Sequence, residues 1–181
     1  RWEIRKNYEN AEELIETAEI DALIVATGND SHCPLTLKAL ERGLHVLCEK
    51  PLGLNFPETA RMAAKAKEQG VISMVPFTYS FMPATRYLRE LIMDGYLGQP
   101  YHLNMRYYGG GGRKPGYLWR FDTRRGGTGA LGDIGSHFLY IARLLFGEIV
   151  QVRAQLDRLI NRPNLDLDGM EYPKADDTAL I

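Results

Sequence analysis

Three residues in this sequence carry chemistry by type and placement: Lys50, Asp133 and His137. Lys50 lies near the end of the stretch Leu44-His45-Val46-Leu47-Cys48-Glu49-Lys50-Pro51, where a short apolar run stops at a carboxylate, an ammonium and a proline. Apolar residues interrupted only by His45 read as a strand of a parallel sheet covered on both faces. The charges then sit at its carboxyl end, the edge where open α/β sheets bind ligands. Proline cannot continue the ladder and holds the preceding lysine extended, and an X-Pro bond can also be cis, which would re-aim the ammonium. Two readings of Lys50 stand side by side: a solvated strand end, or a group placed for chemistry.

Asp133 and His137 lie at i and i+4 in Asp133-Ile134-Gly135-Ser136-His137. On a helical backbone both project from one face. A carboxylate beside an imidazole sets its tautomer and raises its basicity, giving a proton acceptor for a substrate hydroxyl near neutral pH. The plainer alternative is Asp133 as a helix N-cap and His137 as a core or surface histidine. The four histidines include no HxxxH or HExxH pair, so no metal site is expected.

Thr27-Gly28-Asn29 is a strand-to-helix turn that either binds nothing or offers the following helix's N–H groups to an anion. Gly109 to Gly112 read as a mobile loop lacking the lysine and serine of a phosphate loop. Trp119 and Arg120 put an aromatic and a cation together; Tyr107, Tyr108 and Trp119 read as packing aromatics or as a platform for a sugar.

The elements that must position these residues follow from patterning. A short acidic helix is predicted over 8–19, with Ala11, Leu14, Ile15 and Ala18 on one face, then a strand at Ala22 to Ala26. A helix from about Ser31, with Pro34 in its first turn, stops at Gly43 before the strand that leads to Lys50. Asn55 and Glu58 predict a capping box for a helix ending at Gly70, followed by a strand at Val71 to Phe77. Three strands alternating with helices predict a doubly wound parallel sheet whose strand ends, Thr27 to Ser31, Glu49 to Pro51 and Thr78 to Ser80, share one edge. Pro83 opens a further helix to Met93. Period-two alternation at Tyr101 to Tyr108 and at Ile149 to Leu159 predicts strands of an open mixed or antiparallel sheet, with a helix at Ser136 to Leu145 and a last strand starting at Thr178. The change of character places a domain boundary near Gly98, giving domains 1–98 and 99–181.

Bulk properties are those of an ordinary globular chain: 181 residues, 45% hydrophobic, and 22 basic against 23 acidic residues for a net charge of -1. A well-mixed charge excludes the basic stripe that a nucleic acid requires. No apolar run approaches a membrane span, and the start Arg1 to Lys6 lacks the apolar segment of a signal peptide. Cys33 and Cys48 stand alone, which points to a reducing, cytoplasmic compartment.

Three stretches together, Asp21-Ala22-Leu23-Ile24-Val25-Ala26-Thr27-Gly28-Asn29-Asp30-Ser31-His32, His45-Val46-Leu47-Cys48-Glu49-Lys50-Pro51 and Gly132-Asp133-Ile134-Gly135-Ser136-His137, resemble the Gfo/Idh/MocA family, the glucose-fructose oxidoreductase and inositol dehydrogenase group. The resemblance covers nearly all of the chain. It implies a partial Rossmann domain followed by part of a mixed α/β domain, and hydride transfer between NAD or NADP and a sugar, cyclitol or similar polyol. Lys50 becomes the lysine touching the nicotinamide ribose and the reacting oxygen, and His137, paired with Asp133, takes the hydroxyl proton. Thr27, Gly28, Asn29, His32, Glu49, Lys50 and Pro51 become cofactor contacts, and Tyr79, Trp119 and Arg120 substrate contacts. A homo-oligomer is also implied. The GxGxxG turn and following acid are absent, so the chain reads as a fragment lacking the first βαβ and most of the second sheet. Ser80 stands where many members carry arginine, and Tyr140 where many carry aspartate. Two alternatives remain: an NAD-dependent glycoside hydrolase of the same fold, and a silent binding module.

Overall fold

The computed structural model describes residues 6–181, so the basic start up to Arg5 lies outside the described residues. The chain divides into two compact units, Arg1–Pro76 and Phe77–Ile181. The first is an α/β unit of the Rossmann type, and the second is a mixed α/β unit.

In the first unit, α1 (Ala11–Thr17) begins where the Asn10 side chain accepts from the Glu13 N–H at 2.7 Å. It is followed by β1 (Ala22–Val25), α2 (Asn29–Glu41), β2 (His45–Cys48), α3 (Phe56–Gln69) and β3 (Ser73–Met74). The three strands are parallel in the order β1-β2-β3. Val25, Cys33, Leu40, Val46, Cys48 and Met62 pack into one core between the sheet and α2 and α3. Full burial of each large apolar side chain contributes about 1.5–3 kcal/mol. Burial also pushes the Cys48 thiol up to about 11.

Several boundaries differ from the sequence expectation for local reasons. α2 starts at Asn29 rather than Ser31, because the Gly28 carbonyl already accepts from the Ser31 N–H at 3.0 Å; Pro34 thus falls inside the helix. The capping box of α3 is displaced by one residue: Asn55 accepts from the Glu58 N–H at 3.0 Å, but Glu58 reaches back to the Leu54 N–H at 2.8 Å. β3 is only two residues long; just before it the Ile72 carbonyl accepts the Val46 N–H at 3.0 Å, while the Ile72 N–H goes to His45 Nδ1 at 3.1 Å. The sheet is also one-sided among the described residues. Ile24, Leu47 and Met74 are register neighbours on one face, and Ile24 keeps 69% and Met74 43% of its surface exposed.

The second unit opens on a 3-10 turn, Thr78–Phe81, and α4 (Pro83–Met93). α4 packs against this turn and against the later α6 (Ser136–Phe146). Those contacts place the division at Pro76, whereas the change of pattern near Gly98 lies within the second unit. Tyr101 to Tyr108 form no strand and are mostly exposed, because no strand among the described residues pairs with them. Alternation fixes which way side chains face, but a ladder also needs a neighbour. The Ile149 to Leu159 stretch is strand only over β4 (Gln155–Asp157), antiparallel to β5 (Thr178–Leu180). Its far end is stopped by Asp177, whose carboxylate takes the Leu159 and Ile160 N–H groups at 2.9 Å each. The short α5 (Thr123–Gly126) precedes α6.

Candidate active site

At the carboxyl edge of the first sheet, β1 and β2 end in register at Val25 and Cys48. Both following turns therefore leave from one place. Thr27-Gly28-Asn29 runs into the amino end of the 13-residue α2. A Cβ on Gly28 would lie 2.7 Å from Asp30 Oδ1, so the turn keeps this shape with glycine alone unless Asp30 moves. Ser31 Oγ donates to the Gly28 carbonyl at 2.8 Å and lies 2.6 Å from Thr27 Oγ1. The second turn holds Glu49, Lys50 and Pro51, all half-buried. Glu49 accepts the Lys50 N–H at 3.1 Å, and the Lys50–Pro51 peptide is cis.

His32 joins the two turns. It is 1% exposed, with Nδ1 2.9 Å from the Pro51 carbonyl and Nε2 3.3 Å from the Thr27 carbonyl. Both partners are acceptors, so a neutral ring donates to one of them at a time and only the imidazolium to both. The ring thus fixes the spacing of the turns from behind.

In the second unit, Asp133 lies inside a π-helical turn, Leu131–Gly135, that runs directly into α6. Asp133 is therefore within the helical run and is not its N-cap. Single π turns recur at functional sites because the extra residue per turn re-aims neighbouring side chains. His137, in the first turn of α6, is 5% exposed. Tyr79 stacks on its ring at 4.3 Å and 18°, and Phe77 meets it edge-on at 5.8 Å and 83°. Tyr140 in turn stacks on Phe77 at 4.3 Å. Ser80 donates to the Phe77 carbonyl at 2.7 Å. The two positions that depart from the family pattern are thus used to build the aromatic bracket around the histidine. Tyr79, expected as a substrate contact, has one face against His137.

The start of this helical run is held from a distance. Asp176 accepts from the Gly129 N–H at 3.0 Å and the Leu131 N–H at 2.8 Å, and its backbone carbonyl accepts from Ala130 at 3.0 Å. A Cβ on Gly129 would collide with that carbonyl. This explains the small residues of the Gly126 to Gly129 cluster at one position.

Trp119 and Arg120 share a 3-10 turn, Trp119–Phe121, with the Arg120 guanidinium 4.4 Å from the Trp119 ring centroid. Asp122 follows, fully buried, capping α5 through the Arg124 N–H at 3.0 Å and bound by the Arg124 side chain at 2.6 Å and the Tyr117 hydroxyl at 3.1 Å. The Arg124 guanidinium, above all, holds the Asp122 carboxyl below its ordinary value. Burial raises the Tyr117 hydroxyl.

Asp122, Arg162 and Asp176 were not singled out by sequence. Asp122 carries a usable signal, an aspartate just before a short helix. Arg162 and Asp176 carry none, since their partners lie more than 40 residues away along the chain.

Comparison with known proteins agrees with this anatomy. Residues 1–77 match the model of an oxidoreductase family with an NAD-binding Rossmann fold, which defines the class. Residues 85–181 match the GFO/IDH/MocA C-terminal domain. The chain belongs to the Gfo/Idh/MocA family of oxidoreductases. It is 32% identical over 160 residues to levoglucosan dehydrogenase of Pseudarthrobacter phenanthrenivorans, covering 87% of this chain and 41% of that protein. Against scyllo-inositol 2-dehydrogenase (NAD(+)) of Bacillus subtilis, identity is 32% over 166 residues, covering 92% and 47%. The structure of a levoglucosan dehydrogenase complex with NADH and levoglucosan superimposes with a TM-score of 0.79 at 30% identity, covering 95% of this chain and 46% of that one. The chain spans about half the length of the curated relatives it matches.

Proposed function

We propose that this chain belongs to an NAD(P)-dependent oxidoreductase that transfers a hydride between the nicotinamide and a carbinol of a sugar, cyclitol or similar polyol. The observation carrying this reading is the carboxyl edge of the parallel sheet, where two turns locked by His32 present a helix amino end beside Lys50. A glycine at the helix entry and N–H donors at the amino end of α2 fit an anionic dinucleotide. Thr27, Gly28, Asn29, Glu49, Lys50 and Pro51 would hold it, with His32 behind them. The bound nicotinamide supplies or accepts the hydride.

The remaining work is done by the chain's own side chains. His137 accepts the proton of the substrate hydroxyl on a ring nitrogen, Asp133 favours the tautomer that can accept it, and the Lys50 ammonium stabilises charge developing on the oxygen. Trp119 and Arg120 contact the substrate, and Tyr79 contributes its free edge while its face holds His137. The first unit binds cofactor and the second binds substrate. A cytoplasmic location is supported by two buried, unbridged cysteines, and a homo-oligomer is proposed from the family resemblance alone.

The test is NAD(P)H formation by the full-length protein with a panel of sugars and inositols. Lys50→Met and His137→Ala should each lower kcat by about 10²–10⁴-fold. Activity surviving both substitutions would overturn the assigned roles. Release of free sugar from an aryl glycoside, with no net change in nicotinamide absorbance, would replace net oxidation by glycoside hydrolysis.

A further inference from the structure

Arg162 lies in the polar stretch between β4 and β5, yet is only 4% exposed. Its Nη1 donates to the Lys114 carbonyl at 3.0 Å and the Gly116 carbonyl at 3.3 Å, and its Nη2 to the Gly112 carbonyl. The guanidinium also lies 3.8 Å from the centroid of the Phe121 ring. Its own backbone is tied down, because Lys174 Nζ donates to the Arg162 carbonyl at 2.7 Å.

A guanidinium taken out of water must recover its hydration from other dipoles. Here three carbonyls serve the two Nη groups and one aromatic face covers the plane, while Nε is buried without a hydrogen-bond partner. The plane of the group matters: a fork can serve carbonyls in its plane while its face stacks on a ring, which an ammonium cannot do. Close approach matters as well, since a Cβ on Gly112 would come within 3.2 Å of Phe121 Cζ.

We propose that Arg162 is a positioning residue for Trp119 and Arg120. It grips the chain on both sides of them, through Gly112, Lys114 and Gly116 before and Phe121 after, and so converts a glycine-rich loop into a fixed platform. Its importance for substrate placement rests on the function proposed above, whereas the anchoring itself does not.

The experiment therefore reads the anchoring without cofactor or substrate. Arg113 and Lys114 are exposed and offer trypsin a cleavable bond in the middle of the gripped loop. In the wild-type protein this bond should resist trypsin under native conditions. Arg162→Met should be cut there about tenfold faster, as local opening becomes easier. Trp2 and Trp119 are the two tryptophans of these 181 residues, so in a Trp2→Phe background of this 181-residue chain acrylamide quenching reports Trp119 alone. Its quenching constant should rise about twofold in Arg162→Met, and Arg162→Lys should resemble Met because the fork is lost. Ready cleavage of the wild-type bond, or a folded Arg162→Met protein with unchanged cleavage and quenching, would overturn the proposal. Should the variants fail to fold, the wild-type trypsin pattern still decides: resistance at Arg113 supports the anchor and rapid cleavage refutes it.

Discussion

His32 shows how much a single side chain can organise at the carboxyl edge of a sheet. Its ring spans the Thr27 and Pro51 carbonyls, so its loss leaves two turns free to separate without touching any group that meets a ligand. In the full-length protein, His32→Leu should raise the dissociation constant for NADH about tenfold, the effect of losing one or two buried hydrogen bonds. Fluorescence titration with NADH reads this directly, and an unchanged constant would mean that the turns hold themselves. Lys50, Asp133 and His137 could be nominated from sequence because each lies in a short stretch whose neighbours define it, and their joint role stays a proposal. The role of His32 was legible only in part. The family resemblance alone put it among the cofactor contacts, and the carbonyl it reaches at Pro51 is 19 residues away, so only the fold brings the two together.

Among the elements, the π turn and α6 depend most on distant support. Asp176 accepts two N–H groups at the start of that run. Asp176→Ala strands both donors, and should cost about 1–3 kcal/mol of stability, measurable by thermal or urea denaturation. Because Asp133 and His137 ride on this run, the roles proposed for them predict that kcat of the full-length protein falls further than stability alone explains. Helices were the elements read most accurately: the cap at Asn55, the proline at the start of α4 and the glycine after α3 are local chemistry, whereas the Asn10 cap, which starts α1 at Ala11, lay inside the helix expected over 8–19. Strands fared worse. The alternation over Tyr101 to Tyr108 is real, but strand formation is a property of pairs, and the sequence names no partner. Likewise β3 is only two residues long, and the N–H of Ile72 just before it goes to a histidine side chain on another strand.

At the scale of the whole molecule, the two units should differ in their response to acid. Asp122 and Asp166, both in the second unit, have their carboxyls held below the ordinary value, Asp122 chiefly by the Arg124 side chain and Asp166 chiefly by the Met170 N–H. A carboxylate depressed in the folded state contributes stability that is complete above the unfolded value of about 3.9 and is lost as pH falls through the lower folded value. Near-UV circular dichroism and Trp119 fluorescence should therefore begin to change below about pH 4. A flat signal down to pH 3 would remove these ion pairs from the stability of the unit. The compact units divide at Pro76 rather than at the change of sequence pattern near Gly98, because α4 contacts α6. The uncovered row of Ile24, Leu47 and Met74 has a consequence for how this polypeptide behaves as a colloid. With a net charge of -1 and an isoelectric point near 6.5, little electrostatic repulsion keeps one greasy sheet face from meeting another. Light scattering by the 181-residue chain should peak near pH 6.5 and fall on either side, and Ile24→Lys should flatten that peak while leaving the melting temperature almost unchanged.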